Sequence, residues 1–174
     1  MPRPESLHPF DVVLAIRLAR PAGTLAQLGE ELAVVASRVH ASLVRLQAAG
    51  LVRPGTRETN RLALIEFLEH GVRYAFPGAI GREALGIPTA HSAEILASEI
   101  DASDALVWPA TDADSPVRGY SIAPLYPGAT QLPRTSPETY RIVALVDALR
   151  VGGSRERALA AKHIRNALQN LAAA

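Results

Sequence analysis

Arginine side chains that could bind an anion or the edge of a nucleic-acid base are concentrated in one stretch of the chain. Five arginines lie between positions 38 and 61, together with a single acidic residue, Glu58. The 174-residue chain as a whole carries a net charge of only +1, so this excess of positive charge is local. A guanidinium group donates paired hydrogen bonds to phosphate oxygens or to O6 and N7 of guanine. The stretch is therefore a candidate nucleic-acid contact.

The other residues that could do chemistry form no recognisable catalytic or metal site. The absence of cysteine excludes disulfides, cysteine-ligated zinc and a thiol nucleophile. The sequence has none of the spacings that mark phosphate-binding loops, zinc proteases, serine hydrolases or dinucleotide sites. The histidines are scattered without metal-ligand spacing, at His8, His40, His70, His91 and His163. We therefore expect no enzymatic activity, no bound metal and no cofactor.

The arginine-rich stretch begins in a predicted helix with two different faces. Val39, Leu43 and Leu46 recur at spacings of four and three, which predicts that they face the protein core. The helix is expected to run from about Ala36 to Ala49 and to end at Gly50, since glycine readily adopts the left-handed conformation that follows a helix. Polar and small residues occupy the other faces, namely Ser37, Arg38, His40, Ala41 and Arg45.

Two more helices are predicted before this one. The segment HPFDVVLAIRLAR has an apolar face, and Pro9 suits the first turn of a helix. The sequence PAG at 21–23 should end that helix. Thr24 and Gln27 then have the spacing of a capping box, in which each side chain binds the other residue's main-chain amide. They predict a second helix, whose apolar residues are Leu25, Leu28 and Leu32.

Residues 24–53, TLAQLGEELAVVASRVHASLVRLQAAGLVR, resemble the helix-turn-helix core of the winged-helix transcription regulators, of the MarR-like kind. The resemblance is close over this segment and extends loosely over residues 8–90. The chain departs from the family pattern at Ala33 and Val35, where the family usually has a glycine in the turn and a serine or threonine capping the recognition helix. The resemblance implies a trihelical domain in which one helix braces another in the DNA major groove.

The resemblance also implies which residues would contact double-stranded DNA. On the recognition helix these are Ser37, Arg38, His40, Ala41 and Arg45, with Arg38 reaching guanine or a phosphate and Ser37 suited to a phosphate. Arg53 and Arg57 would flank the sugar-phosphate backbone. Arg73 and Arg82 would lie on the wing, provided that residues 72–90 form a hairpin whose strands are VRYAF and IPTA. The intervening PGAIGREALG reads as a loop.

The second half of the chain is predicted to contain short strands and two final helices. ALVWP and VRGYSI are strand candidates on either side of a polar loop. Ser136 and Pro137 should begin a helix that Gly152 and Gly153 end, and Ser154 should begin the last helix. The two helices carry apolar stripes, Tyr140, Val143, Val146 and Leu149 on one and Leu159, Ile164, Leu168 and Leu171 on the other. This helical hairpin could mediate dimerisation or pack on its own domain.

These features predict a fold that is mainly α with a small β component (α+β). We expect a winged helix-turn-helix domain at 1–91, followed at 92–174 by short strands and a two-helix hairpin for dimerisation or partner binding. No apolar run is long enough to span a membrane, and the start of the chain does not resemble a signal peptide. The expected location is therefore the cytoplasm.

The function implied by the resemblance is sequence-specific regulation of transcription. The simplest form is a bacterial homodimeric repressor, since the twofold symmetry of a dimer matches a palindromic operator. The alternative is an antitoxin-like or adaptor protein whose main role is to bind a protein partner.

Overall fold

The computed structural model describes residues 5–170, which form a mixed α and β fold with about 55% helix and one small sheet. The helices are α1 (Pro9–Arg17), α2 (Leu25–Glu31), α3 (Ala36–Ala48), α4 (Arg61–His70), α5 (Val72–Ala75), α6 (Glu94–Ala97), α7 (Leu132–Thr135), α8 (Pro137–Val151) and α9 (Ser154–Asn170). The strands are β1 (Ile80–Pro88), β2 (Leu106–Pro109) and β3 (Val117–Ile122), and short 3-10 helices lie at Ala90–Ser92 and Pro127–Gln131. The α+β composition expected from the sequence is thus confirmed. Within the described range, no helix has both the length and the apolar character that a membrane span requires.

Local signals fix the ends of the first three helices as predicted. The Thr24 hydroxyl accepts a hydrogen bond from the Gln27 amide, and the Gln27 side chain accepts one from the Thr24 amide. Pro9 lies in the first turn of α1. At the end of α3, Gly50 has a φ of +75°, a conformation that costs glycine little. α3 packs on both α1 and α2, so the three helices form one compact group.

A short hairpin, absent from the sequence prediction, follows α3 directly. Val52 and Thr59 form an isolated antiparallel bridge, and the Arg53 amide donates to the Glu58 carbonyl at 2.9 Å. Sequence reasoning identified only a turn here, because one bridge leaves no alternating pattern long enough to indicate strands. Residues 52–59 are called the mini-hairpin below.

The segment predicted to be the wing, residues 72–90, does not form a hairpin. VRYA forms the short helix α5 instead of a strand, with helical bonds from the Ala75 amide to Gly71 and from the Phe76 amide to Val72. Val72 is completely buried, and α5 packs on α4 and α8, so tertiary packing overrides the β propensity of these residues. Most of β1 lies in the segment that was predicted to be a loop.

The three strands close into a small barrel. β1 pairs antiparallel with both β2 and β3, and β2 pairs parallel with β3. The predictions that ALVWP and VRGYSI form strands are confirmed. β1 needs a glycine where it approaches β2, because a Cβ on Gly86 would lie 1.9 Å from the Trp108 carbonyl oxygen.

α8 lies in the middle of the molecule and is buried from Ile142 to Leu149. It packs on α1 on one side and on α5, α7 and α9 on others. Ile164 and Leu168 of α9 are fully buried. The apolar stripes of the predicted helical hairpin are therefore used mainly inside this chain, and Leu171 lies outside the described residues.

Apolar residues from both halves of the chain belong to one continuous core. The rings of Phe10 and Tyr126 meet edge to face with centroids 5.1 Å apart, and Arg20 forms an ion pair with Glu138. The proposed boundary near residue 91 thus lies within continuous packing. The division into domains at 1–91 and 92–174 stays a prediction.

Asp147, a buried carboxylate on α8, joins the barrel to the helices. It accepts hydrogen bonds from Thr89 Oγ1 at 2.8 Å, Trp108 Nε1 at 2.5 Å and Arg150 Nη1 at 2.6 Å. Arg150 also donates through Nε to the Phe76 carbonyl at 2.8 Å. Burial raises the pKa of Asp147, while Arg150 and the two neutral donors favour its charged form. The carboxylate therefore depends on all three partners to remain buried.

Replacing Asp147 should destabilise the whole fold. Asp147→Ala leaves the Arg150 guanidinium partly buried without its carboxylate, and removing one member of such a pair costs about 3–5 kcal/mol. The free energy of unfolding, measured by urea titration, should fall by this amount. Asp101→Ala, at an exposed aspartate in the loop before β2, is the control and should change little. Equal effects of the two substitutions would contradict the role given to Asp147.

Candidate nucleic-acid interface

α3 presents an exposed face to solvent. Ser37, Arg38, His40 and Ala41 are all exposed, whereas Val39 and Leu46 of the same helix are buried. Leu43, predicted to be a core residue, is only half-buried. The inward side of α3 instead follows Val39, Ser42 and Leu46. The exposure of the four candidate contacts agrees with the prediction, whereas their binding to DNA stays a prediction.

Arg38 is positioned by an aromatic ring of α1. Its guanidinium carbon lies 4.9 Å from the centroid of the Phe10 ring, within the range of a cation–π contact. Phe10 is itself 1% exposed and meets Tyr126 edge to face. The Arg38 side chain is exposed, so its guanidinium is available to an anionic or base-edge acceptor.

Arg45, predicted to face DNA, points into the protein, and that prediction is wrong. Its side chain is 8% exposed, and its Nε and Nη2 atoms donate to the two carboxylate oxygens of Asp11 at 2.8 and 2.7 Å. Asp11 is fully buried in α1 and also accepts the His8 amide at 2.8 Å. A buried carboxylate needs a cationic partner, and position 45 falls on the side of α3 that meets α1.

The Asp11–Arg45 pair favours the charged state of the carboxylate. Burial alone would raise the pKa of Asp11, but the hydrogen bonds from Arg45 and His8 outweigh burial and hold that pKa below its ordinary value. The hydrogen bond to Asp11 in turn raises the pKa of Arg45. A carboxylate whose pKa is lowered by folding stabilises the folded state above its unfolded pKa, and this stabilisation is lost as the pH falls through the folded pKa.

A second arginine–carboxylate pair braces α2. Arg17 of α1 donates to both carboxylate oxygens of Glu31, at 2.5 Å from Nε and 3.0 Å from Nη2. The hydrogen bond from Arg17 lowers the pKa of Glu31. Together the two pairs join α1 to α2 and to α3.

The mini-hairpin continues the exposed surface of α3. Gln47 Nε2 donates to the Thr56 carbonyl at 2.8 Å, which ties the last turn of α3 to the tip of the mini-hairpin. Arg57 is exposed and donates to the Gly23 carbonyl at 2.6 Å. Arg53 is exposed as well, and lies 3.5 Å from the Glu58 carboxylate. The structure therefore brings Arg53 and Arg57 close to the end of the predicted recognition helix.

Arg73 and Arg82 belong to other parts of the fold. Arg73 lies on α5, and its guanidinium carbon is 5.3 Å from the centroid of the Tyr74 ring. Arg82 is exposed on β1, in the barrel. Their prediction as wing residues depended on a hairpin at 72–90, and in the described structure these residues form α5 and β1 instead. The placement of both residues on a wing hairpin is therefore wrong, and their contact with DNA stays a prediction.

Sequence reasoning missed an apolar component of the α3 surface. Val44 is 53% exposed, and Val35, just before the helix, is 68% exposed. Ala41, Val44 and Ala48 lie at spacings of three and four, so they share one side of α3. This spacing in the sequence could have predicted an apolar strip on that side of the helix. The surface thus combines Arg38 and His40 with small apolar side chains.

The turn between α2 and α3 contains a residue in an unfavourable conformation. Ala33 has a φ of +53°, the left-handed region in which a glycine is usually found. This is the position where the resembling family has a glycine. α3 begins at Ala36 after Val35, which provides no side-chain cap.

The Asp11–Arg45 pair predicts a pH-dependent loss of stability. Arg45→Ala leaves a buried carboxylate unpaired and should lower the free energy of unfolding by about 3–5 kcal/mol at pH 7. The difference in unfolding free energy between the variant and the unsubstituted protein should disappear as the pH falls through the folded pKa of Asp11, which lies below its ordinary value of about 4, because a protonated carboxyl no longer needs Arg45. Urea titrations at several pH values measure the unfolding free energies of both proteins. The control is Arg38→Ala, a substitution at an exposed arginine of the same helix. If Arg45→Ala lowered the unfolding free energy no more than the control, the interpretation that Arg45 compensates the buried Asp11 would be contradicted.

Ala33→Gly should stabilise the protein by relieving the left-handed strain. We expect a gain of up to about 1 kcal/mol, which thermal unfolding would register as a higher Tm. The matched control is Ala158→Gly at an exposed position inside α9, which should destabilise by about 1 kcal/mol because glycine weakens a helix interior. A loss of stability at both positions would show that the turn is not strained.

Among residues 5–170, no cluster of three or more His, Asp or Glu side chains is arranged to hold a metal ion. No protein-family model, curated protein or solved structure matches this chain. The case for a function therefore depends on the geometry of α3 and the mini-hairpin.

Proposed function

We propose that this protein is a sequence-specific DNA-binding transcriptional regulator that inserts α3 into the major groove. The observation that carries the proposal is one continuous exposed surface, made of the outer face of α3 and the arginines of the mini-hairpin. Arg38 and His40 lie on α3, and Arg53 and Arg57 lie just beyond its end. An α-helix braced from behind by two others has the dimensions that the major groove admits.

The chemistry of the α3 face suits both parts of a DNA contact. Arg38 is placed for guanine O6 and N7 or for a phosphate, and Ser37 lies in the first turn, where the helix dipole favours an anion. Ala41 and Val44 offer the apolar contact that a thymine methyl group requires. In this proposal only a few side chains of α3 contact the bases, because Arg45 is paired with Asp11 inside the protein.

The mini-hairpin takes the part of the wing in this proposal. It follows α3 immediately, as a wing follows a recognition helix, and Gln47 fixes its tip to α3. Arg53 and Arg57 would contact the sugar-phosphate backbone beside the groove, and such contacts fix the register of a protein on DNA.

We propose further that the active form is a homodimer that represses transcription in the cytoplasm by covering a promoter. Because the stripes of α8 and α9 are largely used within the chain, the proposed dimer contact lies on other surfaces. Light scattering coupled to size-exclusion chromatography would measure the mass. A mass of twice 18.5 kDa supports the dimer, and a monomer at micromolar concentration contradicts it.

A fluorescence-anisotropy titration tests DNA binding directly. The purified protein is titrated against a labelled random duplex and against the region upstream of its own gene, at low and at moderate salt. Binding that is weakened by salt and tighter for the upstream region supports the proposal, because each neutralised phosphate releases counterions. No binding at low salt would contradict it.

Substitutions on α3 and the mini-hairpin should distinguish contacts with phosphates from contacts with bases. Arg57→Ala should weaken binding to all sequences alike and reduce the salt slope by about 1, as expected for one lost phosphate contact. Arg38→Ala should reduce the preference for the specific site, by about 1–3 kcal/mol if it reads a guanine. Arg118→Ala, an exposed arginine on β3, is the control and should leave both quantities unchanged. If Arg118→Ala weakened DNA binding as much as Arg57→Ala, the proposed position of the interface would be contradicted.

The second candidate function is that of an antitoxin-like or adaptor protein that binds a protein partner. The exposed Val35, Val44 and Ala48 favour it, since apolar side chains at the surface suit a protein interface. Copurification with the product of a neighbouring gene would support this candidate. The partner should be lost in Val44→Glu and retained in Arg57→Ala. A protein that purifies alone and binds its upstream DNA would contradict it.

A further inference from the structure

A cleft of about 1120 Å³ lies between the end of α1, the mini-hairpin and the start of α4. Residues of the loop after α1, of the mini-hairpin and of the first turn of α4 line it, together with Glu138 of α8 and Gln169 of α9. The cleft is separate from the outer face of α3, although it shares the mini-hairpin with the proposed DNA surface. It is called the arginine cleft below, after the four arginines that line it: Arg20, Arg53, Arg57 and Arg61.

Arginines outnumber acids in the described lining of the arginine cleft. Among residues 5–170 this lining contains two acidic side chains, Glu58 and Glu138, and four arginines. Each acid is paired, Glu58 with Arg53 and Glu138 with Arg20. Arg57 is held differently, by the neutral carbonyl of Gly23 at 2.6 Å, which orients its guanidinium without cancelling its charge. The first turn of α4 adds the positive end of a helix dipole.

The same cleft has an apolar side. Leu18 and Ile65 line it and are buried, and Leu62 lines it with 74% of its surface exposed. Leu62 therefore offers an exposed apolar side chain at the cleft. Concave sites with an apolar wall and a few oriented polar groups are the usual form of small-molecule sites.

We propose that the arginine cleft binds a small phosphate monoester with an apolar or aromatic body. Arg57 receives the phosphate, because a guanidinium donates two parallel hydrogen bonds to phosphate oxygens. Arg53, whose pairing with Glu58 is long and exposed, supplies a second guanidinium for the remaining oxygens. The body of the ligand lies against Leu62 and Ile65.

Occupation of the cleft has a consequence for DNA binding that rests on the proposed function. Arg53 and Arg57 are also the proposed contacts to the DNA backbone. A bound phosphate monoester withdraws them from DNA, so ligand and DNA compete for the mini-hairpin. Binding of the ligand itself does not depend on this consequence.

Isothermal titration calorimetry of the full chain with phenyl phosphate tests the site without any DNA. Inorganic phosphate and benzyl alcohol are titrated in parallel, as the charged half and the apolar half of the probe. Phenyl phosphate should bind at least tenfold more tightly than either. Absence of binding, or equal affinity for inorganic phosphate and phenyl phosphate, would overturn the proposal.

Two variants at exposed side chains localise the binding. Arg57→Gln should weaken phenyl phosphate at least tenfold, whereas Arg118→Gln on the barrel should leave it unchanged. Leu62→Ala should weaken phenyl phosphate and leave inorganic phosphate unaffected. Unchanged affinity in both Arg57→Gln and Leu62→Ala, with thermal unfolding showing that both are folded, would overturn the assignment to this cleft.

A final titration distinguishes failure of the site from failure of the proposed function. Saturating phenyl phosphate should weaken binding of the labelled upstream duplex severalfold, and Arg57→Gln should abolish that effect. Duplex binding that phenyl phosphate does not alter would overturn the competition. If phenyl phosphate binds but the duplex never does, the proposed function fails and the ligand site stands.

Discussion

The bidentate pair between Arg45 and Asp11 is the constraint on which the arrangement of the proposed interface depends. Asp11 is completely buried in α1, and burial of a carboxylate is tolerated only with a cation and further donors in place. Arg45 meets this need from α3, and the His8 amide adds a third hydrogen bond. The rotation of α3 about its own axis is thereby fixed. Ser37, His40 and Ala41 lie away from the side of α3 that carries Arg45, whereas Arg38, two helical turns before Arg45, stacks on Phe10 of α1.

The rest of the fold supports α1 from the opposite side. α8 packs on α1, and its Asp147 holds the barrel through Trp108 and Thr89. The helices that suggested a dimerisation hairpin therefore serve as the central support of the chain. What remains for binding is the outer surface of α3, the mini-hairpin and the arginine cleft beside it. The proposed DNA contact and the proposed ligand site meet at Arg53 and Arg57, which makes the mini-hairpin the natural point of regulation.

Helix caps, helix ends and two of the strands could be predicted from the sequence, whereas contacts between distant residues could not. The capping box of Thr24 and Gln27, the end of α3 at Gly50 and the strands ALVWP and VRGYSI were all predicted, because each depends on neighbouring residues. β1 was missed because Gly81 and Gly86 are typical of loops, whereas the β-branched and aromatic residues of β2 and β3 indicate strands. Arg45 was misplaced because periodicity shows which residues are apolar and cannot show that a buried Asp11 needs a guanidinium. The mini-hairpin depends on one bridge, which leaves no periodic signal.

The most direct test of the account is a map of the DNA contact by nuclear magnetic resonance. Amide and arginine side-chain signals of the isotopically labelled protein are recorded as a duplex from its own upstream region is added. We expect the largest shifts at the outer residues of α3 and at Arg53 and Arg57, with the Arg45 side chain unaffected in its contact with Asp11. Shifts confined to the barrel strands, or no shifts at a low salt concentration, would contradict it.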